Sequence, residues 1–311
     1  MIESAAVIGA GIMGVGIAQV LAMSQVEVSL YDASPEQLAK ARERLADNLQ
    51  LLVAHGVIPA ERARLALANV SPRATLAEAV AGAGLVVEVI PERLDWKLEL
   101  YTELEALVSP EVIIVSNTST FPISELTQRL AHPERFIIAH FFNPAELVPL
   151  VEIVTMAETA EPVVATALEL LRRAGKTPVR LKKDIPGFVA NRLQAALLRE
   201  ALFLVQEGVV DPRDLDTVVS SGIGFRWAFL GPLEIADFGG LDTWKYVTEN
   251  LFPLLDRAAT PSPALCERVT RGELGIKTGA GFYRYTPEEI NKRLAARDAS
   301  FIGLLKAKGD V

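Results

Sequence analysis

The stretch "VIGAGIMGVGIAQVLA", residues 7–22, runs from an apolar strand-like segment through Gly9, Gly11 and Gly14 into a helical pattern. Glycines at these three points permit a tight turn, then close approach of the backbone to a pyrophosphate, then tight packing of helix on strand. The helix N-terminus is left facing the anion. The spacing alone is a weak signal, and its surroundings strengthen it. The next apolar segment, "VEVSLYD", ends in Asp32, 18 residues past the last glycine, where a carboxylate can grip the ribose hydroxyls of a dinucleotide. Asp32 repels the extra phosphate of NADP, and Ala33, Ser34 and Pro35 follow it where an arginine would be needed. NAD is therefore the expected cofactor, held by Gly9, Gly11, Ile12, Met13, Gly14 and Asp32.

Working outward, "GLVVEVI", "EVIIVSN", "RFIIAHF", "LVEIVT" and "TPVRLK" are further strand-length apolar runs separated by helical patterns. That alternation predicts an α/β domain with a mostly parallel, Rossmann-type sheet joined by crossover helices. Residues 35–56 and 58–69 read as two helices, expected to project from the sheet as a hairpin (about 35–69). From residue 185 the strand signal stops. "ANRLQAALLREALFLVQEG" has one apolar helical face and ends at Gly208, suited to a left-handed cap, and Asp211 with Pro212 restarts a helix. The expected division is a dinucleotide-binding domain at 1–184 and an all-helical domain at 185–311, the latter for substrate binding and dimerisation.

Length and composition agree with two soluble domains: 311 residues, 50% hydrophobic, 23% charged. A formal charge of −8 without a basic patch argues against nucleic acid and anionic membrane as partners. No apolar run reaches the roughly 18 residues of a membrane span. No basic segment precedes the first apolar run, which enters the glycine motif at once, so a secretion signal is not expected. The single cysteine, Cys266, forms no intrachain disulfide, and no Cys/His spacing suggests a metal. A cytoplasmic protein without metal, acting on a small molecule, is expected.

Further along, "IIAHFFNPAELVPLVEIV", residues 137–154, sets one of only three histidines at the end of an apolar run and a glutamate inside the next. With "SNTST", "KDIPGFVANRL" and "IKTGAGFYRY" in order behind the N-terminal GxGxMG, the chain resembles the 3-hydroxyacyl-CoA dehydrogenase family over nearly its whole length. The resemblance implies an NAD-binding domain, a helical domain that forms a homodimer, and oxidation of an L-3-hydroxyacyl group to its 3-oxo form. It implies His140 as general base and Glu152 as the acid that orients it, with Ser119 and Asn191 at the substrate's oxygens. Asn143, Glu92, Lys97 and Lys277 match family positions near the cofactor. The chemistry suits the types. A neutral imidazole accepts a hydroxyl proton near pH 7, a carboxylate behind it fixes the tautomer, and polar donors stabilise the developing charge. A glutamate or lysine at a helix start also serves as an ordinary surface pair, so Glu92, Lys97 and Lys277 have that second reading. His55 and His132 lack a comparable setting.

Three departures concern the substrate. The hairpin segment "NLQLLVAHGVIPAERARL" has His55 where the acyl-CoA members carry lysine, and its nearest cations are Arg62 and Arg64. "PLVE" replaces the usual methionine-lysine ahead of the glutamate. "SSGIGFRWAFLGPLE" introduces Arg226, whose planar fork suits a free carboxylate that a thioester lacks. The last two features resemble gulonate dehydrogenase, carnitine dehydrogenase and lambda-crystallin. Arg226 has an alternative role, stacked on Trp227 or Phe229 or paired with Glu234. The expected activity is oxidation of a short-chain 3-hydroxyacyl-CoA such as 3-hydroxybutyryl-CoA. A free 3-hydroxy acid bound by Arg226 is the alternative, and a non-catalytic NAD-binding protein the remote one.

Overall fold

A computed structural model describes residues 2–309, and the chain divides into two compact units with the change after Val189. The expected limit was residue 184. The intervening residues stay with the first unit because Asp184 accepts the Ile123 N–H at 3.0 Å and Phe188 is fully buried in that unit's core.

The first unit is an eight-stranded sheet: β1 Ser4–Ile8, β2 Glu27–Tyr31, β3 Val70–Pro72, β4 Leu85–Glu88, β5 Ile113–Ser116, β6 Phe136–Phe141, β7 Leu150–Val154 and β8 Thr177–Arg180. The strand order is β3-β2-β1-β4-β5-β6-β7-β8, all neighbours parallel except β6 and β7, which are antiparallel. Because Ile8 pairs with Glu88 and Glu88 with Ser116, the strand ends carrying the predicted residues align on one edge. The order reverses between β1 and β4, the point where open α/β sheets leave a ligand crevice at the carboxyl ends of their strands.

The helices of this unit are α1 Ile12–Met23, α2 Pro35–Ala54, α3 Ala60–Ala68, α4 Leu76–Val80, α5 Leu94–Leu107, α6 Ile123–Leu126 and α7 Glu161–Arg173. Ser34 starts α2 by accepting the Gln37 N–H, with Pro35 in the first turn. The α2–α3 hairpin is less detached than its sequence suggests. Ala41, Leu45, Leu49 and Leu52 are buried, α1 packs against both helices, and Asn69 reaches back to the Ala22 carbonyl. On the other sheet face, Val86, Ile114, Ile138, Phe136, Tyr101, Leu104, Leu126 and Phe188 form one apolar cluster.

The second unit is helical: α8 Ala190–Gln206, α9 Pro212–Val218, a π-helical turn Val219–Ile223, α10 Gly224–Trp227, α11 Pro232–Gly239, α12 Leu241–Leu251, α13 Pro263–Thr270 and α14 Pro287–Lys308. Gly208, φ 68°, adopts the expected left-handed conformation beyond α8. Asp211 stands at the N-cap of α9 but makes no side-chain cap bond. Thr286 and Glu289 form a capping box at α14. Among the described residues no helix is long and apolar enough to cross a membrane.

Candidate active site

The glycine turn is shaped by sterics. Gly9 has φ 113°, and a Cβ there would lie 2.5 Å from the Val89 carbonyl oxygen; a Cβ on Gly14 would lie 1.8 Å from the Gly9 oxygen. Nothing comes within 4 Å of the Cβ position of Gly11, so the backbone is open where a ligand would approach. No side chain caps α1, which leaves the amides of its first turn, at Ile12, Met13 and Gly14, for an anion. Asp32 is fixed by the Ala10 N–H at 2.7 Å and the Ser34 N–H at 2.8 Å, and each carboxylate oxygen retains capacity for a further donor. This cradle fits a dinucleotide.

His140 and Glu152 sit directly opposite each other in the β6–β7 pair. The antiparallel register explains why two residues so separated in sequence meet. The His140 Nδ1 lies 3.0 Å from Glu152 Oε2, and both side chains are buried. Glu152 Oε1 accepts the Val189 N–H at 3.0 Å. The imidazole is flanked by Phe142, centroids 4.4 Å apart, and by Phe188 at 5.3 Å. With Nδ1 donating to the carboxylate, Nε2 is the acceptor tautomer and has no hydrogen-bond partner among the described residues. That arrangement can take one proton and hold the resulting imidazolium.

Between the cradle and the pair lies a charged lattice that sequence reasoning found only in part. Glu88, wholly buried at the end of β4, accepts from Lys97 Nζ at 2.6 Å, the Tyr101 hydroxyl at 2.5 Å, Ser116 Oγ at 2.7 Å and the Ile90 N–H at 2.8 Å. Burial first, then the Glu88 carboxylate, pushes the Tyr101 phenol well above its usual range, so it stays a donor. Lys97 also reaches Glu92 Oε2 at 3.2 Å and is 1% exposed. It is thus a buried counter-ion to both Glu88 and Glu92.

Glu92 Oε1 in turn accepts from Thr118 Oγ1 at 2.5 Å, Thr120 Oγ1 at 2.7 Å, and the N–H groups of Ser119 at 3.0 Å and Thr120 at 3.2 Å. Partial burial works to raise its carboxyl, but the two hydroxyls and Lys97 outweigh it and hold the group below its usual range. Ser119 is therefore presented by a turn gathered around one carboxylate. Asn117 Oδ1 accepts the Phe141 N–H at 2.9 Å and ties this turn to the strand of His140. Asn143, exposed, follows on the same strand exit.

In the second unit, Asn191 is half-buried in the first turn of α8, and Lys277 is exposed beside the Gly275–Ala280 bridge. Arg226 is exposed in α10, just after the π-helical turn, a feature frequent at functional sites. It stacks on no ring and pairs with no carboxylate among the described residues. Glu234, its expected structural partner, instead accepts the Gly231 N–H to cap α11. No group of three potential metal ligands occurs among the described residues.

Glu88, Tyr101, Ser116, Phe188 and Lys176 were missed from sequence. For Glu88 the signal was present: a carboxylate inside the apolar run "LVVEVI", the same cue that singles out Glu152 in "LVEIV".

Fold and site together define a dinucleotide-dependent dehydrogenase with a histidine–carboxylate pair. Residues 4–185 match the family model described as 3-hydroxyacyl-CoA dehydrogenase, NAD binding domain, and residues 187–285 that of the C-terminal domain. The chain belongs to the 3-hydroxyacyl-CoA dehydrogenase family, a family of NAD-dependent oxidoreductases, and its cofactor is NAD. It is 39% identical over 307 residues, 98% of this chain and 97% of the other, to the 5-formyl-3-hydroxy-2-methylpyridine 4-carboxylate 5-dehydrogenase of Mesorhizobium japonicum. A crystal structure described as that enzyme, an NAD+ dependent dismutase, superposes with a TM-score of 0.93 at 37% identity, covering 99% of this chain and 98% of the other. The (S)-3-hydroxybutyryl-CoA dehydrogenase of Ralstonia eutropha superposes with a TM-score of 0.76 at 32% identity, covering 92% and 100%.

Proposed function

We propose that the chain oxidises the carbinol carbon of a small carboxylate-bearing substrate, with His140 as general base and Glu152 as its orienting acid. NAD, when bound, supplies the hydride acceptor. His140 Nε2 takes the hydroxyl proton as the carbon–oxygen double bond forms, and the imidazolium, held by Glu152, later releases that proton to solvent. Proton transfer of this kind contributes on the order of 10²–10⁴-fold. Ser119 and Asn191 are assigned to the substrate's oxygens, and Asn143, Lys277 and the Glu92 turn to the cofactor side.

The observation that carries the substrate assignment is Arg226, an exposed guanidinium with no protein partner among the described residues, in a chain whose hairpin offers little to coenzyme A. Arg64 is already bound twice by Glu61, at 3.0 and 2.6 Å, and Arg62 donates to the Met23 carbonyl at 3.4 Å. The pyridine carboxylate relative, matched along nearly its full length, agrees. A second reading, a short 3-hydroxyacyl-CoA as substrate, draws on the family membership and on the intact "HFFNP" and "KTGAGFYRY" segments.

Turnover with NAD of 3-hydroxybutyrate, gulonate, carnitine and a hydroxymethyl pyridine carboxylate, beside 3-hydroxybutyryl-CoA, separates the two readings. Activity confined to the thioester would overturn the carboxylate assignment. NAD binding without turnover of any would favour a non-catalytic protein, against which the intact His140–Glu152 pair stands.

The helical unit is proposed to bind a second copy. Leu233, Phe238 and Leu254 are 82%, 77% and 73% exposed, apolar surface that a second copy could cover. An exposed, unpaired Cys266 suits a reducing cytoplasm.

A further inference from the structure

The last six residues of the first unit, "DIPGFV", hold two consecutive left-handed positions, Gly187 at φ 76° and Phe188 at φ 51°. Glycine adopts that conformation freely; a phenylalanine does so only against steric resistance, and Gln25 is the one other described non-glycine residue with positive φ. Such strain persists where surrounding contacts impose it.

Two contacts impose it here. The Phe188 ring is fully buried, 5.3 Å from the His140 ring, on which Phe142 also packs at 4.4 Å. The next amide, Val189 N–H, donates to Glu152 Oε1 at 3.0 Å, while Glu152 Oε2 meets His140 Nδ1 at 3.0 Å. The segment's other end is fixed by Asp184, which accepts the Ile123 N–H. Core packing alone accounts for a buried ring but not for the unfavourable backbone, since an aromatic side chain in ordinary extended backbone buries as well. The left-handed turn does what extended backbone would not: it sends the ring inward against the imidazole and aims the following N–H at the carboxylate.

We propose that Phe188 is a positioning residue of the proton-accepting pair, whose backbone delivers the Val189 N–H to Glu152 and whose ring clamps the His140 imidazole against Phe142. Glu152 is then oriented from both sides, one oxygen held by the main chain and the other holding the histidine. Phe188 acts through the base it packs against. The inference rests on the reading of His140 as general base.

The test uses the full chain with NAD and whichever substrate the panel identifies. Phe188→Gly accepts the left-handed backbone without strain but removes the ring; Phe188→Leu keeps apolar bulk but loses the flat face. We expect kcat to fall at least tenfold in Phe188→Gly and about threefold or more in Phe188→Leu, with the NAD dissociation constant within twofold of wild type. Long-range ¹H–¹⁵N spectra should show the His140 ring leaving its single tautomer, a change that loosened packing elsewhere would not produce. Wild-type kcat in either folded variant overturns the proposal; if Phe188→Gly does not fold, Phe188→Leu decides. Failure of the underlying reading looks different: His140→Gln itself would then keep wild-type turnover.

Discussion

The two units treat their polar and apolar groups in opposite ways. In the first, charged side chains are taken out of water and each is met: Glu88 by Lys97, Tyr101 and Ser116, Glu152 by His140 and the Val189 amide. A buried ionised group is tolerated only when paired and hydrogen-bonded, and removing one partner of such a pair costs about 3–5 kcal/mol. In the second unit, Ile235, Ile302 and Leu305 are the buried apolar side chains among the described residues, and long helices leave leucines and aromatics in solvent. One unit pairs these buried charges within itself. The other leaves apolar side chains and Arg226 exposed.

The sharpest break in this contrast lies at the pair. Replacing His140 by Gln keeps the size and a hydrogen-bonding group but removes the proton-accepting imidazole, so kcat should fall about 10²–10⁴-fold. Because Asp32 and the glycine turn are untouched, NAD affinity measured by nucleotide fluorescence should stay within about twofold of wild type. Loss of NAD binding together with kcat would show instead that the first unit had been disrupted.

Next comes Arg226→Met. If the guanidinium binds a carboxylate in two-point fashion, the loss of a charge-assisted pair of about 2–3 kcal/mol lowers kcat/KM for the free acid about 30- to 150-fold. Turnover of 3-hydroxybutyryl-CoA, where measurable, should change little. Equal damage to both substrates would make Arg226 a structural residue and remove the main support for a carboxylate-bearing substrate.

The second unit's exposed apolar surface gives a smaller effect. Leu233→Glu should raise the dissociation constant of a self-association at least tenfold by setting a charge where apolar faces meet, as read by mass photometry of diluted protein. A wild-type chain that is monomeric at every concentration would mean that a different partner covers this face.

Sequence carried far in the first unit because its site follows from local rules. The glycine turn is dictated by sterics within a few residues, and the cue for Glu152, a carboxylate in an apolar strand, needs only a period of two. What escaped was set by register and burial. β3 has three residues, ends in Pro72, and offers no alternation to read. Lys97 and Tyr101 look like one face of an ordinary surface helix until Glu88 is placed opposite. The strain at Phe188 is invisible without φ. The boundary, expected at 184, moved to Val189 because side chains after the last strand remain bound to the first unit.

The smallest expected effect falls on Lys176, which precedes β8 and is almost fully buried. Its Nζ donates to the carbonyls of Ala145 at 2.6 Å and Val148 at 2.9 Å, stapling the loop that follows Asn143. Burial pulls its ammonium from 10.5 down to about 8, with Glu146 opposing in part. Between about pH 8 and 10.5 the unfolded chain holds a proton that the folded chain has released, so the stability contributed by this group rises with pH across that window. Below it both states are protonated and the full cost of burying the charge is present. The two carbonyl acceptors stabilise the ammonium, which limits the effect to ~1–2 kcal/mol. Urea denaturation of wild type and Lys176→Met at pH 7 and pH 10 isolates it, since groups common to both proteins cancel in the difference. Wild type should gain ~1–2 kcal/mol relative to the variant at the higher pH. A difference that stays flat would mean that the carbonyls hold the ammonium charged throughout, and that the loop after Asn143 is tied down by an ion that never discharges in this range.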